Sequence, residues 1–182
     1  MEKFVMPQLL LLAGTGRDSG KTLYGCRILS HWGSSHSIYT IKITPHFHKG
    51  IRSGRIIHDT EDIFIAEELS AGPDKDSKRF LEAGAKRSFF IMAQDEQLGD
   101  AMETLFREVP GNISWICESG GARHWVNPGL FLLITQGGIE EKKERNAFYQ
   151  LADQKIVRTG TMFDIPAENI QIGENGWILK NT

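Results

Sequence analysis

The residues best suited to chemistry form one continuous run, Gly14-Thr15-Gly16-Arg17-Asp18-Ser19-Gly20-Lys21-Thr22. Its glycines let the backbone curl until successive N–H groups face a single anion. If a helix begins near Lys21, its N-terminus adds partial positive charge at the same place. Lys21 would then reach the β- and γ-phosphates of a nucleoside triphosphate, and the Thr22 hydroxyl would ligate Mg²⁺. The strict phosphate-loop pattern has glycine at position 15. Here Thr15 stands there and Gly14 lies one residue earlier, which lengthens the loop by one. The plain alternative is a strand-to-helix turn that is glycine-rich for geometry alone. Gly20-Lys21-Thr22 at such a junction favours the phosphate reading.

Two further residues fit the same chemistry. Trp115-Ile116-Cys117-Glu118-Ser119-Gly120-Gly121 reads as a buried strand ending in an acid and two glycines. Ligands of open parallel sheets bind beyond the carboxyl ends of strands. Glu118 would therefore emerge beside the loop and share Mg²⁺ with Thr22, or else cap a turn. Lys42, in Ile41-Lys42-Ile43, would point at the site to neutralise phosphate or substrate charge, or stand solvated at a strand end. His46 and His48, with His58 further on, lack a third ligand at recognisable spacing, so surface histidines are the better reading than a metal site. The mixed charges of 140–145 suit a solvated helix face. Trp115 and Trp125 suit the core or a lid. No Asn-Lys-x-Asp element reads guanine, and Gln136 is only positionally a candidate for base contact.

Positioning such a loop takes alternating strands and helices. The apolar run 8–13 predicts a strand buried on both faces, followed by a helix over 21–32 and a strand over 37–43. Residues 46–57 read as a basic loop. Residues 60–69 read as a helix, entered through Asp59 or Thr60 with an acidic first turn. Helices follow at 76–83, 96–109 and 140–152, and strands at 88–93, 113–117, 130–134 and 155–158. Residues 170–172 and 177–179 predict a terminal hairpin about Gly176. The sum is a single doubly wound α/β domain with a mostly parallel sheet flanked by helices.

Composition agrees and excludes alternatives. The chain has 182 residues, a length suited to one domain, and a formal charge of -2, which gives no bulk attraction to nucleic acid or a membrane surface. Two distant cysteines, Cys26 and Cys117, make no disulfide framework or zinc site, and a reducing compartment follows. The apolar run after Lys3 is too short for a secretory signal, and no stretch approaches the roughly 20 apolar residues of a membrane span. The expected setting is cytoplasmic.

The order of these motifs resembles the family of molybdopterin-guanine dinucleotide biosynthesis protein B. The phosphate loop ending Asp18-Ser19-Gly20-Lys21-Thr22 is followed by Lys42 and His46. Then come the segment from Lys75-Asp76-Ser77 to Ala83-Gly84-Ala85 and strand-end Glu118, a likeness over about residues 8–137. Asp74 and Ser119 stand where that family carries glycine. The resemblance implies a phosphate-loop nucleotide-binding fold and a GTP-binding accessory protein, usually dimeric. Such a protein hydrolyses nucleotide slowly and assists a molybdopterin nucleotidyltransferase. A weaker likeness is to dethiobiotin synthetase, through Gly14-Thr15-x4-Gly20-Lys21-Thr22, Lys42 before Pro45, and Glu118-Ser119-Gly120-Gly121. It implies an ATP-dependent ligase. A non-catalytic nucleotide-binding module is the third reading.

Overall fold

An apolar run with no polar face needs partners on both sides. Residues 9–13 find them in strand β1 (Phe4–Gly14), where each is at most 1% exposed. The computed structural model describes residues 3–16, 18–47, 54–72, 74–137 and 149–180. After β1 come helix α1 (Lys21–Trp32) and strands β2 (Ile38–Thr44), β3 (Arg55–Asp59) and β4 (Ile63–Glu67). Helix α2 (Asp76–Glu82), β5 (Arg87–Ala93), α3 (Leu98–Glu108) and β6 (Ser114–Glu118) follow. The chain continues through β7 (Val126–Gln136), β8 (Gln154–Thr159), β9 (Met162–Phe163), β10 (Ile170–Gly173) and β11 (Gly176–Leu179).

The large sheet has the order β3-β4-β5-β2-β6-β1-β7-β8-β9, with β5 through β8 parallel to one another. The β3–β4 hairpin extends one edge antiparallel, and β9 does so at the other. Strands β10 and β11 form a separate hairpin, as the sequence predicts.

Both faces of the sheet are covered, which is why its central strands are continuous apolar runs. On one face, Tyr24, Ile28 and Leu29 of α1 and Phe80 of α2 pack on Leu10, Leu12 and Ile116, together with Ile170 and Trp177 of the terminal hairpin. On the other, Leu98, Ala101, Met102 and Leu105 of α3 pack on Leu9, Leu11, Ile41 and Phe89. The chain moves outward from β1 to β2 and β5 over the first face and returns to β6 over the second. Opposite directions on opposite faces keep a single crossover hand. The protein is thus mixed α/β, with a large, mostly parallel sheet flanked by three α-helices among the described residues.

Two expectations fail at one edge. Residues 60–69 are not a helix, and 55–57 are not loop; they belong to the antiparallel pair β3–β4. Thr60, read as a helix cap, instead closes the hairpin. Its hydroxyl donates to the Ile63 carbonyl at 3.2 Å and accepts from the Ile63 amide at 3.1 Å. The following Ile-Phe-Ile run suits a strand covered on both sides. Glu67 pins this edge, accepting from Arg55 at 2.6 Å and from Arg87 at 2.5 Å. The predicted helix at 140–152 lies mostly outside the described residues, and its described end is a 3-10 turn at Tyr149–Leu151. Segment 48–53 lies outside them too.

Gly25 shows how closely α1 approaches its neighbours. A Cβ there would lie 2.9 Å from Phe80 Cε1 and 3.2 Å from Leu12 Cδ1. Gly25→Ala should gain about 1 kcal/mol of helix propensity, yet lose about 1–3 kcal/mol to overpacking, for a net destabilisation. Urea unfolding measures it. In a Phe80→Leu background, where the methyl has room, the same substitution should be less costly. Equal cost in both backgrounds would refute this account of Gly25.

Candidate functional site

Strand β1 passes into α1 through the glycine-rich run from Gly14 to Gly20, whose described backbone is held in special conformations. Asp18 has φ 62° and Gly20 has φ 102°, both left-handed. Gly14 is required for a different reason. A Cβ there would fall 2.1 Å from Ser19 Oγ and 2.9 Å from Lys21 Cδ, because the loop folds back over its own beginning. Lys21 donates to the Gly16 carbonyl at 2.9 Å and to Ser19 Oγ at 3.3 Å. Thr15 is 2% exposed, and its hydroxyl has no partner among the described residues. Arg17 lies outside the described residues.

The strand order delivers the rest. β6 lies between β1 and β2, with Glu118 in register with Leu12 on one side and Lys42 on the other. The connection leaving β1 runs over one face, through α1. The one leaving β6 runs over the other, through the turn Ala122–His124. Adjacent strands whose connections part in this way leave a crevice at their carboxyl ends. A cleft of about 840 Å³ lies there, lined by Lys21, Thr22, Lys42 and Glu118.

Within it, Glu118 is only 2% exposed and accepts from the Thr22 hydroxyl at 2.7 Å. The Lys42 ammonium is shared between Glu118 Oε1 and, at 2.9 Å, Asp76 Oδ2. Arg79 approaches the Asp76 carboxylate at 3.3 Å. Burial pulls the Lys42 ammonium down, but Glu118 and Asp76 outweigh burial and hold its pKa above the ordinary lysine value. Burial would raise the Asp76 carboxyl, yet Lys42, then Arg79 and Thr22, hold it below the ordinary aspartate range. Burial lowers Lys21, and the Lys42 charge adds to this against opposing carboxylates.

The residues present fit Mg²⁺. An ion that keeps several waters and substrate phosphates needs one or two protein oxygens, and its octahedral neighbours stand about 2.9 Å apart. Thr22 Oγ1 and Glu118 Oε2, 2.7 Å apart, match that spacing. No group of three or more His, Cys, Asp or Glu that could hold a metal occurs among the described residues. His46 lines the cleft, His58 sits on the distant edge strand β3, and His48 lies outside the described residues.

Among the lining residues that escape the sequence reading of the site are Asp76, Arg79, Phe90 and Arg158. The rule that found Glu118 applies equally to Arg158, at the carboxyl end of parallel strand β8. Asp76 begins α2, and only the strand order reveals that it faces Lys42. Gln136 is exposed at the end of β7, in register with Arg158. Trp115 is core, ringed by Tyr39, Phe89 and Phe106. Trp125 lies against Gly99 and donates to the Asp95 carbonyl.

The ion cluster sets a pH response. With its folded pKa depressed, Asp76 contributes stability above the ordinary value near about 3.9, lost as pH falls through the lower folded value. With its pKa raised, Lys42 contributes fully below about 10.4, and that stability is lost as pH rises through the higher folded value. Urea unfolding across pH should show a flatter acid limb below about pH 4 in Asp76→Asn and a flatter alkaline limb above about pH 10 in Lys42→Met. Limbs identical to wild type would mean the pair is not coupled to folding.

No protein-family model, no curated protein and no solved structure matches this chain.

Proposed function

We propose that this chain binds a nucleoside triphosphate together with Mg²⁺ in the cleft beyond β1, β6 and β2. One observation carries the reading. Lys21 and Thr22 open α1 directly behind the glycine loop, and Thr22 meets the buried Glu118 carboxylate at 2.7 Å. A lysine already bent over the loop carbonyls needs only to exchange Gly16 and Ser19 for phosphate oxygens. The loop and the start of α1 hold the phosphates, and the orphaned Thr15 hydroxyl is a spare donor beside them. Mg²⁺ bound with the nucleotide would neutralise phosphate charge from Thr22 and Glu118.

The function proposed is that of a GTP-preferring, slowly hydrolysing accessory protein in molybdopterin-guanine dinucleotide biosynthesis. It would act as a cytoplasmic homodimer with a molybdopterin nucleotidyltransferase. No helix among the described residues is long and apolar enough to cross a membrane. The second reading, an ATP-dependent ligase of the dethiobiotin synthetase type, is favoured by Lys42, whose ammonium reaches into the same cleft. A binding module without turnover is the third.

Binding is tested by linkage. Nucleotide with Mg²⁺ at about 100 times its Kd should add roughly 2.7 kcal/mol, a melting shift of about 5–10 °C for a chain of this size. Lys21→Ala should remove most of it. No shift with any of the four nucleoside triphosphates would sink the reading.

Turnover separates the accessory reading from the ligase. Loop, lysine and metal supply charge stabilisation without an oriented nucleophile, so basal hydrolysis should be slow and rise only with a partner or acceptor. It should persist at a reduced level in Lys42→Ala. Fast ATP consumption that depends on bicarbonate and a diamine, and vanishes in Lys42→Ala, would instead establish the ligase.

A further inference from the structure

Lys42 is placed oddly for a residue that contacts phosphate. Its ammonium does not point along the loop but lies between two carboxylates, touching Glu118 Oε1 and reaching Asp76 Oδ2 at 2.9 Å. Thr22 Oγ1 donates to Glu118 Oε2 at 2.7 Å, so a hydroxyl, an ammonium and two acids line one small volume. Glu118 is nearly fully buried, and a buried carboxylate must be answered by a cation. Arg79 approaches only Asp76, at 3.3 Å, and cannot take over Glu118. The cation that answers Glu118 in this state is the one that strand β2 supplies.

We propose that the Lys42 ammonium is a tethered stand-in for the divalent cation. Lysine and metal then exclude one another at Thr22 and Glu118, and arrival of the metal releases Lys42 towards the bound phosphates. The inference rests on the metal reading of that pair given above. A doubly charged ion at Thr22 and Glu118 would stand within a few ångströms of the ammonium, close enough for strong repulsion in a partly desolvated cleft. Lysine can yield because its charge rides on a flexible four-carbon stem. From near the carboxyl end of β2 that stem has the cleft in front of it, where Lys21 and the loop would hold a bound phosphate. One residue thereby serves two states. It neutralises the acids when the metal is absent and meets the phosphates when it is present, so that charge in the cleft stays balanced throughout.

The test needs no nucleotide. Mn²⁺ is titrated into nucleotide-free wild type, Lys42→Met and Lys42→Gln, with the free ion followed by its paramagnetic resonance signal. Removing the competing charge should tighten Mn²⁺ binding at least about tenfold in both variants. Each variant leaves Glu118 without its ion-pair partner, so its melting temperature should fall in chelator and recover with Mg²⁺ by more than wild type gains. That recovery also shows whether the variants are folded. Affinity in both variants equal to or weaker than wild type overturns the exclusion. Glu118→Gln added to Lys42→Met should abolish the tight site; if tight binding survives, the ion is bound elsewhere and the metal reading itself falls.

Discussion

A carboxylate almost fully removed from water at the tip of a buried strand governs this architecture. Removing one partner of a buried ion pair costs about 3–5 kcal/mol, because the remaining charge is left uncompensated. Glu118 therefore fixes what must surround it. A hydroxyl comes from the first turn of α1, and an ammonium from the neighbouring strand at the residue directly in register. Each is available only if β6 inserts between β1 and β2. Charge balance at one residue and the strand order of the sheet are thus a single constraint seen at two scales.

The second acid is held by packing at longer range. Helix α2 brings Asp76 to Lys42 because a chain of buried hydrogen bonds anchors it to the sheet. Thr40 donates to Ser88 Oγ at 2.8 Å, Ser88 to the Ser77 carbonyl at 2.7 Å, and Ser77 Oγ to the buried Glu68 at 2.7 Å. The helices themselves meet through glycine. A Cβ on Gly33 would stand 2.5 Å from the Gly84 carbonyl, and one on Gly25 would strike Phe80. Fully satisfied polar chains of this kind specify orientation where apolar contact alone allows sliding.

Much of this was legible in the sequence, for identifiable reasons. The centre of β1, α1, β2, α2, β5, α3 and the terminal hairpin follow from runs or periodicities strong enough to override local ambiguity. The β3–β4 hairpin was not, because Thr60 and the acids beside it offer the same side-chain groups to a turn as to a helix start. Pairing with β5, which decides between them, is long-range. Lys21, Thr22, Lys42 and Glu118 were legible as strand-end or loop positions, and the fold brings them into one cleft. Asp76 was not legible as part of it, since its approach depends on which strands and helices become neighbours, whereas Arg158 ends a parallel strand and was within reach of the rule that found Glu118. Arg17, named in the loop, lies outside the described residues.

The loop's conformation is finally a property of the far end of the chain. Side chains engage three of its carbonyls: Gly14 by the Tyr149 hydroxyl at 3.1 Å, Gly16 by Lys21, and Asp18 by Arg158 at 2.7 Å. Arg158 lies so close over Gly20 that a Cβ there would meet its Cδ at 2.5 Å, with Phe163 behind. The segment bearing Arg158 and Phe163 is tied back to the first helix. Arg27 donates to the Thr161 carbonyl, Tyr24 to Ile165 and Trp32 to Ile170, while Trp177 donates to Gln8 of β1. Carbonyl oxygens turned inward would repel an anion, so engaging them with donors removes the opposing dipoles from a loop that begins a helix. Residues more than a hundred positions away thus set the polarity of the loop, which the local glycines only make possible.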